Sequence, residues 1–151
     1  MDKKNCGEEY MKVKEAIREL YNLSEYEMIR VKSHEGGRNL VYVCRYEGEP
    51  RYVVRISITG DRREQDYQAE LEFVHYLAQG GASVADVLSS ENGKLVEKVS
   101  IEEKEVFVSC FTYAKEMLIS DNGYRYRGGA PLSEYFFNTG KALGKIHQLS
   151  F

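Results

Sequence analysis

The residues best suited to chemistry lie in one loop and in the strand patterns that follow it. The loop is His34-Glu35-Gly36-Gly37-Arg38-Asn39, directly before an apolar run. Glycines where a strand begins let backbone N–H groups approach a ligand closely, and such loops suit phosphates. In the next apolar run Arg55 follows Val53 by two residues, so both side chains share one strand face. An apolar wall beside a cation indicates a site for a nucleotide.

A helix is predicted after these strands, from about residue 61 to residue 79. Asp61 with Glu64 three residues later resembles a capping box, and Gly80-Gly81 is typical of a C-terminal cap. Glu70 lies on the face that we expect to turn toward the sheet. The apolar residues predicted for that inner face are Phe73, Val74 and Leu77.

Glu70 needs a partner if it faces the sheet, because burying an unpaired charge is costly. We expect Arg55 to be that partner, in an ion pair between strand and helix. Asp66, one turn earlier on the same helix face, is the rival carboxylate. The alternative to an ion pair is that Glu70 extends into solvent.

Two strands joined by a tight turn must position Arg55. They are predicted at residues 40–46 and 51–58, on either side of the turn Glu47-Gly48-Glu49-Pro50. Both faces of these strands are too apolar for water, so we expect helices to cover the sheet on two sides, at least in part. A second amphipathic helix is available at residues 8–22. Its apolar stripe consists of Tyr10, Val13, Ile17 and Leu20.

Further strand patterns complete an antiparallel sheet. They lie at residues 26–33, 83–90, 94–101 and 105–113. In the first of them, Ile29 and Val31 are expected to form the apolar side. Glu91-Asn92-Gly93 and Glu102-Glu103-Lys104 are predicted hairpin turns. The sequence therefore predicts an α+β fold with about five antiparallel strands, one helix inserted after the third strand, and N-terminal and C-terminal helices.

The pattern changes after residue 113. Residues 114–131 mix charges with glycines and show no sustained period, which predicts a linker. A last helix is predicted at about 132–149. One face of it carries Phe136, Gly140, Leu143 and His147. Gly140 and Gly144 lower helix propensity, so we expect another element to approach the helix closely there.

Composition limits the classes of function. The 151 residues fit one domain with a hydrophobic core, and the net charge of −3 argues against a nucleic-acid binder that works by charge. Arg127-Gly128-Gly129 resembles an RNA-binding RGG element, but a single copy does not change that expectation. Three separated cysteines fit a reducing cytosol, with Cys44 and Cys110 predicted to pack in the core. No run is long enough to span a membrane, so we expect a cytoplasmic protein without a membrane partner.

Three segments carry a family resemblance through their order and spacing. They are GGRNLVYVCRYEGEPRYVVRIS, AELEFVHYLAQGGASV and GKALGKIHQLS. The order of glycine loop, strand, strand with a cation, helix and further strands resembles a protein-kinase-like N-terminal lobe. In detail the sequence resembles the aminoglycoside phosphotransferase and choline-kinase-like small-molecule kinases. The resemblance implies a nucleotide-binding lobe at residues 1–113, a hinge or linker at 114–131, and the first helix of a second lobe at 132–151.

The resemblance also implies roles for single positions, with ATP or GTP as the cofactor. The backbone of residues 34–39 would cover the phosphates, and Asn39 would fix the shape of that loop. Arg55 would take the place of the phosphate-binding lysine, paired with Glu70. An arginine binds phosphate bidentately and does not titrate, although its reach differs from that of lysine. The loop also lacks the full G-x-G-x-x-G pattern.

The adenine would lie on the same strands. Val41 and Val53 would sit above the adenine ring, and backbone groups of the hinge would hydrogen-bond its edge. The hinge residues are Ser109, Cys110, Phe111, Thr112 and Tyr113. His147 would have a structural role in the second lobe.

The groups that phosphoryl transfer needs are not found in this sequence. The family uses an aspartate base in an H-G-D-like loop and a later aspartate that holds Mg²⁺. His34, His75 and His147 are followed by other dipeptides, so none opens such a loop. We therefore expect this chain alone to be inactive, with Mg²⁺ and the small-molecule substrate bound through a second lobe.

Three hypotheses remain open from the sequence. The chain is the nucleotide-binding lobe of a truncated kinase, a stand-alone non-catalytic binding or regulatory module, or an α+β domain in which Arg55 is only a structural ion-pair partner. The last helix bears on this choice, because its apolar surface would normally pack on a second lobe. That surface consists of Tyr135, Phe136, Phe137 and Leu143. An isolated lobe is expected to self-associate through it or to expose it.

Overall fold

The described residues form an antiparallel sheet of six strands together with three α-helices. The computed structural model describes residues 5–31, 39–58, 60, 62–101, 104–115, 122–123 and 125–150. The helices are α1 (Asn5–Leu20), α2 (Glu64–Gln79) and α3 (Leu132–Ser150). The strands are β1 (Glu27–Arg30), β2 (Asn39–Tyr46), β3 (Glu49–Ser57), β4 (Val87–Leu88), β5 (Glu97–Ile101) and β6 (Lys104–Thr112). A short 3₁₀ turn spans Arg127–Gly129.

The strand order is β1-β2-β3-β6-β4, and β5 pairs with β6 along the same edge as β4. Every pairing is antiparallel, and α2 follows the third strand. This confirms the predicted α+β arrangement, with six strands in the described part of the chain where about five were expected.

The turn between β2 and β3 is two residues long. Glu47 and Gly48 both have positive φ, at 52° and 82°, and Tyr46 pairs directly with Glu49. Positive φ at both central positions is the condition for a type I′ hairpin, whose twist matches that of the strands. The turn was predicted to include Glu49 and Pro50, but these two residues begin β3.

One face of the sheet packs against α1. Val13 and Ile17 of that helix are buried, as their spacing predicts. The strand residues of the same cluster are Met28, Leu40, Tyr42, Cys44, Val54, Ile56, Val106, Val108 and Cys110. Cys44 and Cys110 are free, buried thiols, which confirms their predicted core role. Burial raises the pKa of Cys44 to about 11 and that of Cys110 to about 12.

The other face is covered in part by α2, but the prediction of its inner face was wrong for Phe73. The buried residues of α2 are Tyr67, Leu71 and Leu77, whereas Phe73 is 46% exposed. Phe73 follows Leu71 by two residues, and at ~100° per residue this turns it to the far side of the helix. The helix stripe packs with a second, smaller cluster that includes Val87, Val96, Phe107 and Phe111.

Both ends of α2 have identifiable caps. The helix starts at Glu64 rather than residue 61, and Asp61 lies outside the described residues. Asp66 accepts a hydrogen bond from the Arg63 amide at 2.9 Å, so it serves the helix start and does not replace Glu70. At the other end the amide of Gly81, with φ of 78°, donates to the Ala78 carbonyl, as the predicted glycine stop requires.

The side of β1 that faces the core was also predicted wrongly. Met28 is buried and pairs with Cys44, whereas Ile29 and Val31 are exposed. Met28 shares the face of Cys44, which packs under α1, and strand alternation turns Ile29 to the opposite face. The two β-branched residues point away from that cluster.

The predicted strand at residues 83–90 shrinks to Val87–Leu88, and the turn at 91–93 does not join paired strands. β4 and β5 each pair with β6 instead. The turn is held by Glu97, a buried carboxylate that accepts hydrogen bonds from Ser90 Oγ at 2.6 Å and Asn92 Nδ2 at 2.8 Å. By contrast β5 and β6 pair with each other, as predicted, and of the turn predicted between them Lys104 begins β6 while Glu102 and Glu103 lie outside the described residues.

The last helix forms as predicted, but none of its described residues is buried. A Cβ built at Gly140 or Gly144 meets no atom within 4 Å, so the close approach predicted there is wrong for the described part of the chain. The close contact occurs at Gly80 instead, where a Cβ would lie 2.7 Å from Leu149. Tyr76 Oη also donates to the Leu149 carbonyl at 2.9 Å, which ties the end of α3 to α2.

Candidate functional site

The strand register places the predicted site residues on the sheet face opposite α1. Arg55 lies between its cross-strand neighbours Val41 on β2 and Ser109 on β6. Val53, two residues earlier, pairs with Phe111. Cross-strand neighbours share a face, so the apolar residues and the cation that the sequence placed together do lie together. α2 approaches this same face.

The ion pair between Arg55 and Glu70 is confirmed. Arg55 Nη1 donates to Glu70 Oε1 at 2.7 Å, and both side chains are partly exposed. The Arg55 guanidinium also lies 5.2 Å from the centre of the Phe111 ring. The pair fixes the middle of β3 to the first half of α2.

A second arginine binds the same carboxylate, and sequence reasoning missed it. Arg62 Nη1 donates to Glu70 Oε2 at 2.6 Å, and its Nη2 donates to the Asp66 carbonyl at 3.0 Å. Its guanidinium carbon lies 4.5 Å from the centre of the Tyr67 ring. Helix spacing does not mark it, because Arg62 precedes Glu64, the first residue of α2.

These contacts determine the charge state of Glu70. Burial alone would raise the pKa of this carboxyl, but the hydrogen bonds from Arg55 and Arg62 outweigh it and lower the pKa below its usual value. The hydrogen bond to Glu70 in turn raises the pKa of Arg62. The cluster therefore holds one carboxylate, ionised at neutral pH, between two guanidinium groups.

Arg55 has donors that no described residue uses. Among the described residues only its Nη1 has a hydrogen-bond partner, and Nε is buried without one. A buried donor left unpaired costs free energy unless a ligand or water satisfies it. The donor that suits a ligand is Nη2, which has no described partner on a partly exposed side chain, and this arrangement fits an anion bound beside Arg55.

Asn39 and Ser57 connect the two strands where the glycine loop enters the sheet. Ser57 Oγ donates to Asn39 Oδ1 at 2.8 Å, and the two residues are cross-strand neighbours. The other predicted loop residues, which are His34, Glu35, Gly36, Gly37 and Arg38, lie outside the described residues. The role of the loop stays a prediction.

The hinge is predicted at the end of β6. The amide of Thr112 donates to the Asp86 carbonyl at 2.8 Å, and the amide of Tyr113 donates to the Arg51 carbonyl at 2.9 Å. Cys110 has its side chain in the core under α1, so only its backbone could face a ligand. Among described residues, the amides of Ala114 and Lys115 donate to no other group. The role of the hinge in binding stays a prediction.

Comparison with known proteins identifies the family. Residues 31–151 match the Phosphotransferase enzyme family, APH. The chain belongs to this family. It is 39% identical to amicoumacin kinase of Bacillus subtilis (strain 168) over 114 residues, which are 74% of this chain and 31% of that protein. The chain thus spans about a third of the length of that curated relative.

Solved structures of kinases share this fold. Amicoumacin kinase hAmiN in complex with AMP-PNP, Ca²⁺ and Ami superposes with a TM-score of 0.73 at 21% identity, over 98% of this chain and 42% of that one. The microcompartment-associated aminopropanol kinase superposes with a TM-score of 0.58 at 16% identity, over 70% of this chain and 31% of that one. Spectinomycin phosphotransferase APH(9)-Ia in complex with ADP and spectinomycin superposes with a TM-score of 0.54 at 9% identity, over 71% of this chain and 30% of that one. At these identities the likeness shows the fold alone, that of the N-terminal lobe of a phosphotransferase.

The site on this phosphotransferase lobe has no metal centre within the described residues. No three of the described histidines, cysteines, aspartates and glutamates stand close enough together to hold a metal ion. His75 pairs with Asp86 Oδ1 at 2.9 Å, and His147 is exposed on α3. The described residues therefore do not fit a magnesium site, and the chemistry they do fit is anion binding by arginine. No helix among them is long and apolar enough to cross a membrane.

Asp86 is a second residue that sequence reasoning missed. Its carboxylate accepts from Gln79 at 3.2 Å as well as pairing with His75, so it contacts α2 twice. The Asp86 amide donates to Thr112 Oγ1 at 3.0 Å, and the Asp86 carbonyl accepts from the Thr112 amide at 2.8 Å. Asp86 therefore links the end of α2, the helix of Glu70, to the end of β6. Asp86 stands in a loop without periodicity, and no pattern in the sequence marks it.

Proposed function

We propose that this chain is the nucleotide-binding lobe of a small-molecule phosphotransferase, and that its nucleotide is ATP or GTP. The observation that carries the proposal is the position of Arg55. It lies on an apolar sheet face, is fixed through Nη1 to Glu70, and keeps Nη2 without a described partner on a side chain that is 22% exposed. Arginine is suited to phosphate because its planar fork donates two hydrogen bonds at once.

The described residues would hold the nucleotide along the sheet face. Val41 and Val53 supply partly buried apolar surface for the adenine, and Arg55 supplies the positive charge for the phosphates. The hinge end of β6 supplies backbone groups for the adenine edge. With the amides of Thr112 and Tyr113 already bonded, we propose that the open groups just beyond them, at Ala114 and Lys115, serve this purpose.

The acceptor substrate is proposed only as a class. The relatives are named as kinases of amicoumacin, aminopropanol and spectinomycin, all small molecules. We propose that a small molecule with a hydroxyl group receives the phosphoryl group in the complete enzyme. No histidine of this sequence opens an H-G-D-like loop, and the chain spans about a third of its curated relative. We therefore propose that transfer requires a second lobe.

The second candidate function is a non-catalytic nucleotide-binding or regulatory module. It rests on the same described groups, an arginine for phosphate and apolar strand residues for the base, which provide binding without a catalytic base. The two functions share the nucleotide site and differ in whether a second lobe completes it. A protein that contains both lobes and turns over ATP with a small alcohol would exclude the second candidate.

Titration calorimetry with ATP tests the nucleotide site directly. We expect saturable binding of ATP by the folded 151-residue chain, together with a rise in its melting temperature as the ligand stabilises the folded state. A folded sample that shows neither heat nor thermal shift with ATP or GTP at about 1 mM, a concentration that detects weak binding, would rule out the proposal.

A further inference from the structure

Glu70 is shared by two arginines that bind different oxygens. Arg55 Nη1 holds Oε1 at 2.7 Å and Arg62 Nη1 holds Oε2 at 2.6 Å. Arg62 is itself fixed, because its Nη2 bonds the Asp66 carbonyl and its guanidinium stacks on the buried Tyr67. The second oxygen of Glu70 is therefore held by Arg62 and not by Arg55.

The pair between Arg55 and Glu70 departs from the usual geometry. Arginine and carboxylate groups frequently pair through two parallel hydrogen bonds, which is the stronger arrangement. Here the pair has one bond, and Nε of Arg55 stays unpartnered among described residues. A carboxylate released from Arg62 would be free to take a second nitrogen of Arg55.

We propose that Arg62 is a positioning residue that keeps Arg55 available for phosphate. By holding Oε2 of Glu70, it prevents a two-bond pair between Glu70 and Arg55. The remaining donors of Arg55 are then left for the phosphates of the nucleotide. The inference rests on the proposed nucleotide-binding function.

The charges of the cluster agree with this role. Two guanidinium groups share one carboxylate, which leaves an excess of one positive charge. Asp66 does not cancel it, because its carboxylate accepts from the Arg63 amide and faces the exposed Arg63 side chain at 3.7 Å. Without Arg62, Arg55 and Glu70 would form a neutral pair with little attraction for an anion.

The test compares ATP and adenosine binding by calorimetry in four variants of the 151-residue chain. Arg62→Gln should weaken ATP binding about tenfold, the loss expected for one hydrogen bond between charged groups, and should leave adenosine binding within about twofold. Arg63→Gln is the matched control, since it removes the same charge one residue away. It should leave both affinities unchanged. Arg62→Lys should recover part of the ATP affinity, because an ammonium can still hold Oε2.

The double variant Arg62→Gln/Glu70→Gln separates positioning from direct contact. If Glu70 blocks Arg55 when Arg62 is absent, neutralising Glu70 should remove the block. The double variant should then bind ATP several-fold more tightly than Arg62→Gln. A double variant as weak as Arg62→Gln would mean that Arg62 itself contacts phosphate, and would overturn the proposal. Equal ATP affinity in Arg62→Gln and Arg63→Gln would overturn it as well.

The crystal structure of Arg62→Gln gives a readout that needs no nucleotide. Glu70 with both oxygens on Arg55 would support the inference, even if the wild-type chain fails to bind ATP and the proposed function falls. Glu70 unchanged, with one bond to Arg55, would contradict the inference while leaving the proposed function intact. If Arg62→Gln does not fold, the structure and ATP affinity of Arg62→Met, whose side chain has no donor for Glu70, decide in the same way.

Discussion

At the scale of single residues, Glu70 accepts hydrogen bonds from two arginines, and its lowered pKa makes stability depend on pH. The folded-state pKa lies below the ordinary value of 4.5, so its contribution to the free energy of unfolding is complete above that pH. The contribution is lost as the pH falls through the folded-state pKa. Acidification should therefore destabilise the wild-type chain more than Glu70→Gln, as measured by urea unfolding from neutral pH to about pH 3. Identical pH profiles for the two proteins would contradict the ion pair.

Burial predicts that two thiols are inert in the folded chain. Both Cys44 and Cys110 are buried with raised pKa values, which leaves little thiolate to react. In a Cys6→Ser background, a thiol reagent should label neither residue rapidly until the protein is unfolded, when both should react. Fast labelling of the native protein would place one of these strands outside the core.

The pair of Arg55 and Glu70 was predictable from the sequence, whereas the third member of the cluster was not predicted. Arg55 and Glu70 stand in regular elements, so strand alternation and helix phase alone place them on facing surfaces. Arg62 stands before the first residue of α2, in a segment without periodicity. Only the path of the chain before α2 brings Arg62 to Glu70 and lets Asp66 cap the helix.

At the scale of elements, periodicity predicted the order of strands and helices better than the side that each one buries. β1 buries Met28 instead of Ile29 and Val31, and α2 buries Tyr67 and Leu71 instead of Phe73. Apolar residues stand on both sides of these elements, so periodicity alone leaves the phase open. The phase is decided by packing, because α1 covers the sheet face of Met28 and the cluster at α2 includes Tyr67 and Leu71 but not Phe73.

Two matched substitutions test the phase of α2. Leu71→Ala removes a fully buried side chain and should lower the free energy of unfolding by about 3 kcal/mol. Phe73→Ala removes a side chain that is 46% exposed and should cost well under half as much. Denaturant unfolding of both variants measures the difference. A larger loss for Phe73→Ala would show that the helix is rotated about its axis, with Phe73 on the inner face.

At the scale of the whole molecule, α3 is an element with little cover. Phe136 is 66% exposed and Phe137 71% exposed, and no described residue of α3 is buried. Several large apolar side chains exposed on one helix are typical of an interaction surface. The chain spans 31% of the length of its curated relative, and we propose that in a complete kinase this face packs on the second lobe.

The chain on its own should self-associate through α3. We expect the apparent mass in light scattering to rise with protein concentration, and the double variant Phe136→Ser/Phe137→Ser to be monomeric. Phe73→Ser is the control, because Phe73 is exposed on α2 and not on α3. A wild-type chain that stays monomeric at all concentrations would contradict this prediction.

The most direct test of the nucleotide site is the ratio of ATP affinity to adenosine affinity in the wild-type chain and in Arg55→Ala. If Arg55 binds the phosphates, ATP should bind the wild-type chain more tightly than adenosine. The substitution should then remove most of that preference, at least about tenfold in ATP affinity, while adenosine binding stays nearly the same. An unchanged ratio in Arg55→Ala would contradict the assignment of phosphate binding to this residue, and with it the account of the site.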